Sequence, residues 1–367
     1  MEKEWWLAEG IDGLDSPALL VYPARVKKNI QALLQHADAL RTRPHVKTNK
    51  MAEVCSMMMD HGIRKFKAAT IAEAEMLAEI KAPDVLLAYP LTPVKAERFI
   101  RLMTRYPETR FSFLADSEQN IQTLTDQFKI HQLQASVYID LNVGMNRTGI
   151  LPEKALILAK AILSNPVFIL KGLHAYDGHI RDSDITVRTK DCHKAFKPVL
   201  ALRKEIEKIT GAPIDLVAGG TPSCLIHAAQ TDRDCSPGTF VFWDKGYADK
   251  LPEQPFQFGA LLLSRVISIP APDLICTDLG HKSVAAENPF PRIYFLNAPD
   301  AEPVSQSEEH LVLKVANSSK YKTGDTLFGV PIHICPSVAL YDEAAVIEDG
   351  RLAGRWKVVA RKRKISV

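Results

Sequence analysis

No stretch of this chain approaches the apolar length that a membrane span requires, and the opening MEKEWWLAEG lacks the basic-then-apolar order of a secretory signal. Charge of one sign is also scarce. With 46 basic and 43 acidic residues the formal net charge is +3, too little to argue for nucleic acid. The one basic run, Arg361-Lys362-Arg363-Lys364, reads as a solvated tail. The six cysteines (Cys55, Cys192, Cys224, Cys235, Cys276 and Cys335) are scattered rather than spaced as a disulfide framework, so a reducing cytoplasm is the expected setting. No internal repeat or low-complexity segment stands out. What remains is a chain of 367 residues, 46% hydrophobic and 24% charged, long enough to bury a full core and to make two domains.

From residue 24 to 245, short apolar runs alternate with helical patterns. In Arg25–Leu40 the residues Val26, Ile30, Leu33, Leu34, Ala37 and Leu40 share one face at the helical period. The expected strands are Pro44–Thr48, Phe66–Thr70, Val85–Tyr89, Phe111–Asp116, Ser136–Asn142, Leu170–Tyr176, Ile214–Gly219 and Gly238–Trp243. Alternation of this kind implies a parallel sheet covered by helices, and its extent fits a (β/α)8 barrel of about 250 residues; a doubly wound open sheet is the alternative. From 246 to 367 the runs are strand-like without long helical patterns, and Asp349-Gly350 suits a turn between antiparallel strands. This predicts a mostly β C-terminal domain. Residues 1–23, with the apolar Ala18–Val21, either join it or lead into the barrel.

A barrel carries its active site at the carboxyl ends of its strands. There lie Lys47, Thr70, Tyr89, Asp116, Asn142 to Arg147, His174 to His179, and Gly219 to Thr221. Lys47, in Arg43-Pro44-His45-Val46-Lys47-Thr48, can lose its proton on desolvation and form an imine with an aldehyde cofactor. A lysine ending a strand is ordinarily a solvated loop residue; the weight of Lys47 comes from the segments that accompany it. Gly219-Gly220-Thr221 lets the backbone approach a phosphate, although alone it is an ordinary glycine turn. Arg147, among the glycines of Asn142–Gly149, suits a cofactor phenolate or a substrate carboxylate. In His174-Ala175-Tyr176-Asp177-Gly178-His179, His174 reads as a hydrogen-bonded core histidine. His179, past the strand, is the catalytic candidate, and Tyr176 is a candidate contact for a cofactor ring.

His333 and Cys335 stand two apart in an expected strand, which would turn both to one face. Imidazole with thiolate suits zinc, and two protein ligands leave room for water and substrate. Taken singly, each residue would be read as ordinary core. Asp278 and Lys282 are candidates to support this pair from behind.

Together these segments resemble the D-threonine aldolase and eukaryotic-type D-serine dehydratase group, a branch of the alanine-racemase-like (fold type III) pyridoxal-phosphate enzymes. The resemblance runs nearly end to end: DSPALLVY, RPHVKT, ATIAEAE, NVGMNRTGI, GLHAYDGH, the GGT turn, SPGTFVF and HICPSVALYD. RPHVKT and HICP are the specific motifs among them. It implies Lys47 as the lysine that carries pyridoxal 5'-phosphate, Gly219, Gly220 and Thr221 at its phosphate, and His333 and Cys335 on a divalent metal, zinc or manganese. It also implies a homodimer acting on a small D-amino acid. Typical D-threonine aldolases of this group carry aspartate where this chain has Cys335, and His-x-Cys is similar to the D-serine and 3-hydroxyaspartate dehydratases. The expected activity is retro-aldol cleavage of a D-3-hydroxy amino acid, with dehydration to a keto acid and ammonia as the alternative. A racemase and a non-enzymatic cofactor carrier stand behind both. The added β domain and metal pair argue against a carrier.

Overall fold

In the computed structural model, which describes residues 4–367, the short strand β1 (Ala18–Val21) precedes seven parallel strands. These are β2 (Lys65–Ala68), β3 (Asp84–Pro90), β4 (Arg110–Ala115), β5 (Ala135–Leu141), β6 (Phe168–Ala175), β7 (Asp215–Ala218) and β8 (Asp234–Cys235), hydrogen-bonded in that order. Helices between them form because each carries an apolar stripe and a defined start. Pro93–Arg105 opens on a proline that needs no amide partner and buries Ala96, Phe99, Ile100 and Leu102. Ile71–Glu79 starts with Thr70 accepting from the Glu73 amide at 3.1 Å, while the Glu73 carboxylate accepts from the Ala69 amide at 2.6 Å. Phe113 of β4 packs edge-on against Phe99 and stacks on Phe128, so one strand is locked to the helices before and after it.

The ring closes through residues 42–45. Thr42 bridges to Cys235 of β8 and His45 to Lys67 of β2, both parallel. Arg43, fully buried, pairs with Asp84 of β3 at 2.5 Å and with Asp234 of β8 at 3.4 Å. The expected first strand, Pro44–Thr48, is thus two isolated bridges followed by a turn that carries Lys47. The expected eighth strand also differs. Pro237 and Gly238 end the pairing, the true strand is Asp234–Cys235, and Thr239–Val241 is a 3-10 turn. Phe240 to Trp243 are all buried, and an apolar run that is buried throughout does not reveal its secondary structure by periodicity.

Two compact units result: Leu33–Lys47 with Cys55–Gly238 and Lys362–Val367, and Met1–Ala32 with Thr48–Val54 and Thr239–Arg361. The first is the barrel. Its last residues are held down: the buried Glu75 carboxylate accepts from the amides of Ser366 at 3.2 Å and Val367 at 3.4 Å. The tail is therefore anchored beyond its basic run, although Lys362, Arg363 and Lys364 are exposed.

The second unit is the β domain, with β9 (Ala260–Ala271), β10 (Leu274–Thr277), β11 (Ile293–Phe295), β12 (Glu302–Gln306), β13 (Leu311–Lys314), β14 (Thr326–Pro331), β15 (Glu343–Glu348) and β16 (Arg351–Lys357). β1 lies between β9, to which it is antiparallel, and β15, to which it is parallel, so the amino-terminal run belongs to this sheet. Leu20, Leu261, Leu263, Phe328 and Val330 form part of its core. Asp349 and Gly350, both at positive φ, make the two-residue turn between β15 and β16.

Candidate active site

Alternation along the barrel strands turns every second residue inward. Lys67 of β2, Ala88 of β3, Leu114 of β4, Asp140 of β5 and His174 of β6 form one such layer toward the carboxyl ends. With His45, Lys47, Arg147, Thr148 and Tyr176 they line a cavity. Below it, the Tyr138 hydroxyl donates to Asp215 at 2.8 Å and fills the barrel floor.

The loop that carries Arg147 is built by Asn142, whose side-chain oxygen accepts from the amides of Gly144 at 3.0 Å and Asn146 at 3.1 Å. Thr148 donates to Asp140 at 2.7 Å and ties that loop to the barrel wall. The Arg147 guanidinium then lies 5.0 Å from the centre of the Tyr176 ring, and the amines of Lys47 and Lys67 each lie 5.8 Å from it. Beyond that ring is the glycine turn. A Cβ on Gly220 would stand 2.7 Å from the Tyr176 ring, and Gly219, at φ +72°, has His227 and Ser223 against it. The turn is braced from beneath by buried Asp177, which accepts from Ser223 at 2.6 Å and meets His227 Nε2 at 2.8 Å and Cys192 at 3.6 Å. Asp177, Cys192 and His227 have the chemistry of metal ligands, yet here they hold one another and the turn.

Charge in the cavity is organised by burial. Desolvation, then the nearby Lys47 charge, lowers Lys67 to about 7 against the opposing pull of Asp140. His174 meets Asp140 at 2.7 Å and Lys67 at 3.4 Å. Burial and the Lys67 charge hold it below the usual histidine range. Burial pushes Asp140 up, but its bonds from His174 and Thr148 outweigh that and keep it ionised.

The structure brings Lys47, Arg147 and Tyr176 together and sets Gly220 against the Tyr176 ring, with Gly219 and Thr221 on either side of it in the turn. His179 lies elsewhere. It is exposed, packs over Gly144 where any Cβ would approach within 2.6 Å, and lines a separate surface depression with Asn142 and Glu153. The histidine in the cavity is His174, which the sequence reading assigned to the core. Lys67 was missed, although a lysine between Phe66 and Ala68 in a barrel strand is itself a signal: it must face inward.

The amine, guanidinium, aromatic face and glycine turn fit pyridoxal phosphate, which needs a covalent anchor, a ring contact and a close backbone approach. In the β unit, β14 ends at Pro331, and His333 precedes the short helix Ile334–Val338. His333 and Cys335 therefore meet through a helix start rather than through strand alternation; Pro336 is tolerated in that first turn because its missing amide has no partner there. The Cys335 sulfur also contacts the hydroxyls of Thr48 at 3.1 Å and Thr239 at 3.3 Å. Burial opposes charge on both partners, but their mutual hydrogen bond prevails, raising His333 to about 9 and lowering Cys335. A cysteine sulfur beside an imidazole whose Nδ1 meets Glu287 at 2.5 Å is a donor set suited to zinc. Asp278 is engaged elsewhere, by Ser264 at 2.8 Å and the Arg265 amide at 2.9 Å, and Lys282 pairs with Glu308. Glu287 takes the supporting place expected of them.

Residues 21–244, more than half of the chain, match the alanine racemase N-terminal domain. The chain belongs to that family. Family members depend on pyridoxal phosphate, and residues 260–347 match a serine dehydratase domain. Among relatives, D-threonine aldolase of Arthrobacter sp is 26% identical over 360 residues, spanning 95% of this chain and 93% of that one. The 3-hydroxy-D-aspartate aldolase of Paracoccus denitrificans is 24% identical, spanning 95% and 92%. The crystal structure of D-threonine aldolase from Filomicrobium marinum superposes with a TM-score of 0.88 over 97% of both chains at 23% identity, which establishes the fold. D-threo-3-hydroxyaspartate dehydratase from Delftia sp. HT23 gives 0.79 at 20% identity, over 95% of this chain and 98% of that one. Two further structures of D-threo-3-hydroxyaspartate dehydratase have alanine at a histidine and at a cysteine two positions further on, the latter in a metal-free form.

Proposed function

We propose that this chain is a pyridoxal-phosphate-dependent, metal-activated lyase that cleaves D-3-hydroxy amino acids, D-threonine first among them, to glycine and an aldehyde. The observation that carries this reading is the barrel cavity holding Lys47, Arg147 and Tyr176, in a chain that aligns with D-threonine aldolase over 95% of its length. Lys47 would anchor the cofactor, Tyr176 would face its ring, and Gly219, Gly220 and Thr221 would hold its phosphate. When bound, the cofactor supplies an electron sink for the pair of whichever Cα bond is broken. Arg147 has paired donors for a carboxylate or phenolate and is held in place by the Asn142 turn. His333 and Cys335 would hold a divalent ion, zinc or manganese, which supplies Lewis acidity toward the 3-hydroxyl. We also propose a cytoplasmic homodimer, a setting consistent with six free cysteines among the described residues. Sedimentation at micromolar concentration checks the assembly, and a fully active monomer would refute it.

Cys335 supports a second reading, dehydration, because variants of a D-threo-3-hydroxyaspartate dehydratase replace a histidine and a cysteine of the same spacing. Incubation with D-threonine and D-serine plus zinc or manganese separates the two. Glycine with acetaldehyde indicates the aldolase, whereas 2-oxobutanoate or pyruvate with ammonia indicates the dehydratase. Interconversion of D- and L-amino acids without loss of carbon or nitrogen would indicate a racemase. Activity indifferent to chelation would remove the metal.

A further inference from the structure

Tyr176 and Asp177, the two residues that follow β6, grip the glycine turn from different sides. The Tyr176 ring lies where a Cβ on Gly220 would come within 2.7 Å of it. The Asp177 carboxylate is buried with Ser223 and His227, the two side chains that crowd Gly219. We propose that Asp177 is a positioning residue that, through Ser223 and His227, makes this turn select the phosphorylated cofactor over the unphosphorylated aldehyde. This rests on the reading that assigns the cofactor phosphate to Gly219, Gly220 and Thr221.

The direction of the hydrogen bonds carries the argument. Asp177 meets Ser223 at 2.6 Å on one oxygen and His227 Nε2 at 2.8 Å on the other, with the Cys192 thiol at 3.6 Å. Burial opposes its charge, but the bonds from His227, Ser223 and Cys192 outweigh it and keep the carboxylate ionised. An ionised carboxylate only accepts, so each partner must point its hydrogen at it. The Ser223 hydroxyl is thereby committed as a donor to Asp177. Its lone pair is left to face the Gly220 amide, 3.3 Å away, and this sets the direction of that peptide.

His227 must carry a hydrogen on Nε2, while its buried Nδ1 has no hydrogen-bond partner among the described residues. The imidazole is therefore oriented by its bond to Asp177 and by the Phe196 ring, whose centre is 4.4 Å away. Held there, its Cδ2 lies 2.5 Å from where a Cβ on Gly219 would stand, and the Ser223 oxygen lies 2.7 Å from the same point. Gly219 and Gly220 thus have their backbone shaped by two groups that one carboxylate orients. Backbone groups hold a phosphate well only when they are fixed in the direction that faces it. A turn whose peptides can rotate loses that preference while Lys47 and Tyr176 remain in place.

The test compares two titrations of the full chain after removal of cofactor, one with pyridoxal phosphate and one with pyridoxal, each read at the cofactor absorption band. Both aldehydes can join Lys47, and only one carries a phosphate. The wild type should bind the phosphorylated form more tightly. Asp177→Asn sets an amide donor against a donor, and Ser223→Ala removes the link to Gly220. Each should weaken pyridoxal phosphate about 10- to 100-fold and change pyridoxal by less than about 3-fold. His227→Gln keeps an N–H near the place of Nε2 and should retain most of the preference that His227→Leu loses. An equal loss for both aldehydes, or a preference unchanged in Asp177→Asn and Ser223→Ala, would mean that the cluster serves folding alone and would overturn the proposal. A wild type that binds the two aldehydes alike would instead overturn the assignment of the phosphate to this turn, and the proposal with it.

Discussion

At the scale of single residues, the cavity spends stability on charge. Lys67 is lowered from 10.5 to about 7, so between those values the unfolded chain holds a proton there that the folded chain does not. Its contribution to stability therefore rises with pH across that window and is least favourable below about 7. Lys67→Met should melt above wild type at about pH 6, and the gap should close as the pH approaches 10. Scanning calorimetry at several pH values measures this, and a gap independent of pH would mean an ordinary amine. In the β unit, Glu287 meets His333 at 2.5 Å and orients it. Glu287→Ala should weaken zinc binding roughly 10- to 100-fold in a chelator competition, and unchanged affinity would remove Glu287 from the site. Lys67 carried its signal in the sequence as a lysine inside an apolar barrel strand, whereas Glu287 carried none. Lys47, Arg147, Tyr176, His333 and Cys335 lie in motifs; Glu287 is distant in sequence and meets His333 only after folding. His174 and His179 show the limit of chain position as a guide. The first faces inward from a strand, the second is past it, and only the direction of the side chain separates them.

At the scale of elements, the segment 42–45 decides whether the barrel closes. Its backbone makes one bridge to each edge strand, and the fully buried Arg43 adds ion pairs to Asp84 and Asp234. Arg43→Met would leave both carboxylates without that partner and should destabilise the protein by about 3–5 kcal/mol, read from urea unfolding. A loss below about 1 kcal/mol would mean that Lys65, 3.0 Å from Asp234, suffices. Six of the eight expected barrel strands overlap the observed β2 to β7 because each is an apolar run bounded by helical patterns. The other two misplace the seam for physical reasons. Residues 44–48 read as a strand yet pair only at isolated positions, and Phe240 to Trp243 are buried in turns whose apolar residues mimic a strand. In the β unit, β12 (Glu302–Gln306) is a largely exposed strand with no apolar run that would mark it in the sequence.

For the whole molecule, the path of the chain makes a stronger claim than a single domain boundary at 245 and 246. The β unit takes residues from three separate stretches of sequence, and the barrel unit from three others. No single cut yields two complete units. In the β sheet the consequence is specific: β1 sits between β9 and β15, giving Leu19 partners in Leu262 and Ala344, and Leu20 partners in Leu261 and Ala345. A fragment of residues 246–367 lacks that interior strand, so it would expose two facing sheet edges and the apolar surface that Leu20 and Tyr22 cover. It should show no cooperative thermal transition. Joining residues 4–32 to 239–361 through a flexible linker should restore one, because the missing strand returns with its own turn and helix. Circular dichroism melting of the two polypeptides decides the matter: a cooperative transition in the short fragment would show that β9 and β15 can be stabilised without β1, and the sheet would then owe its stability to β14, β10 and β16 instead.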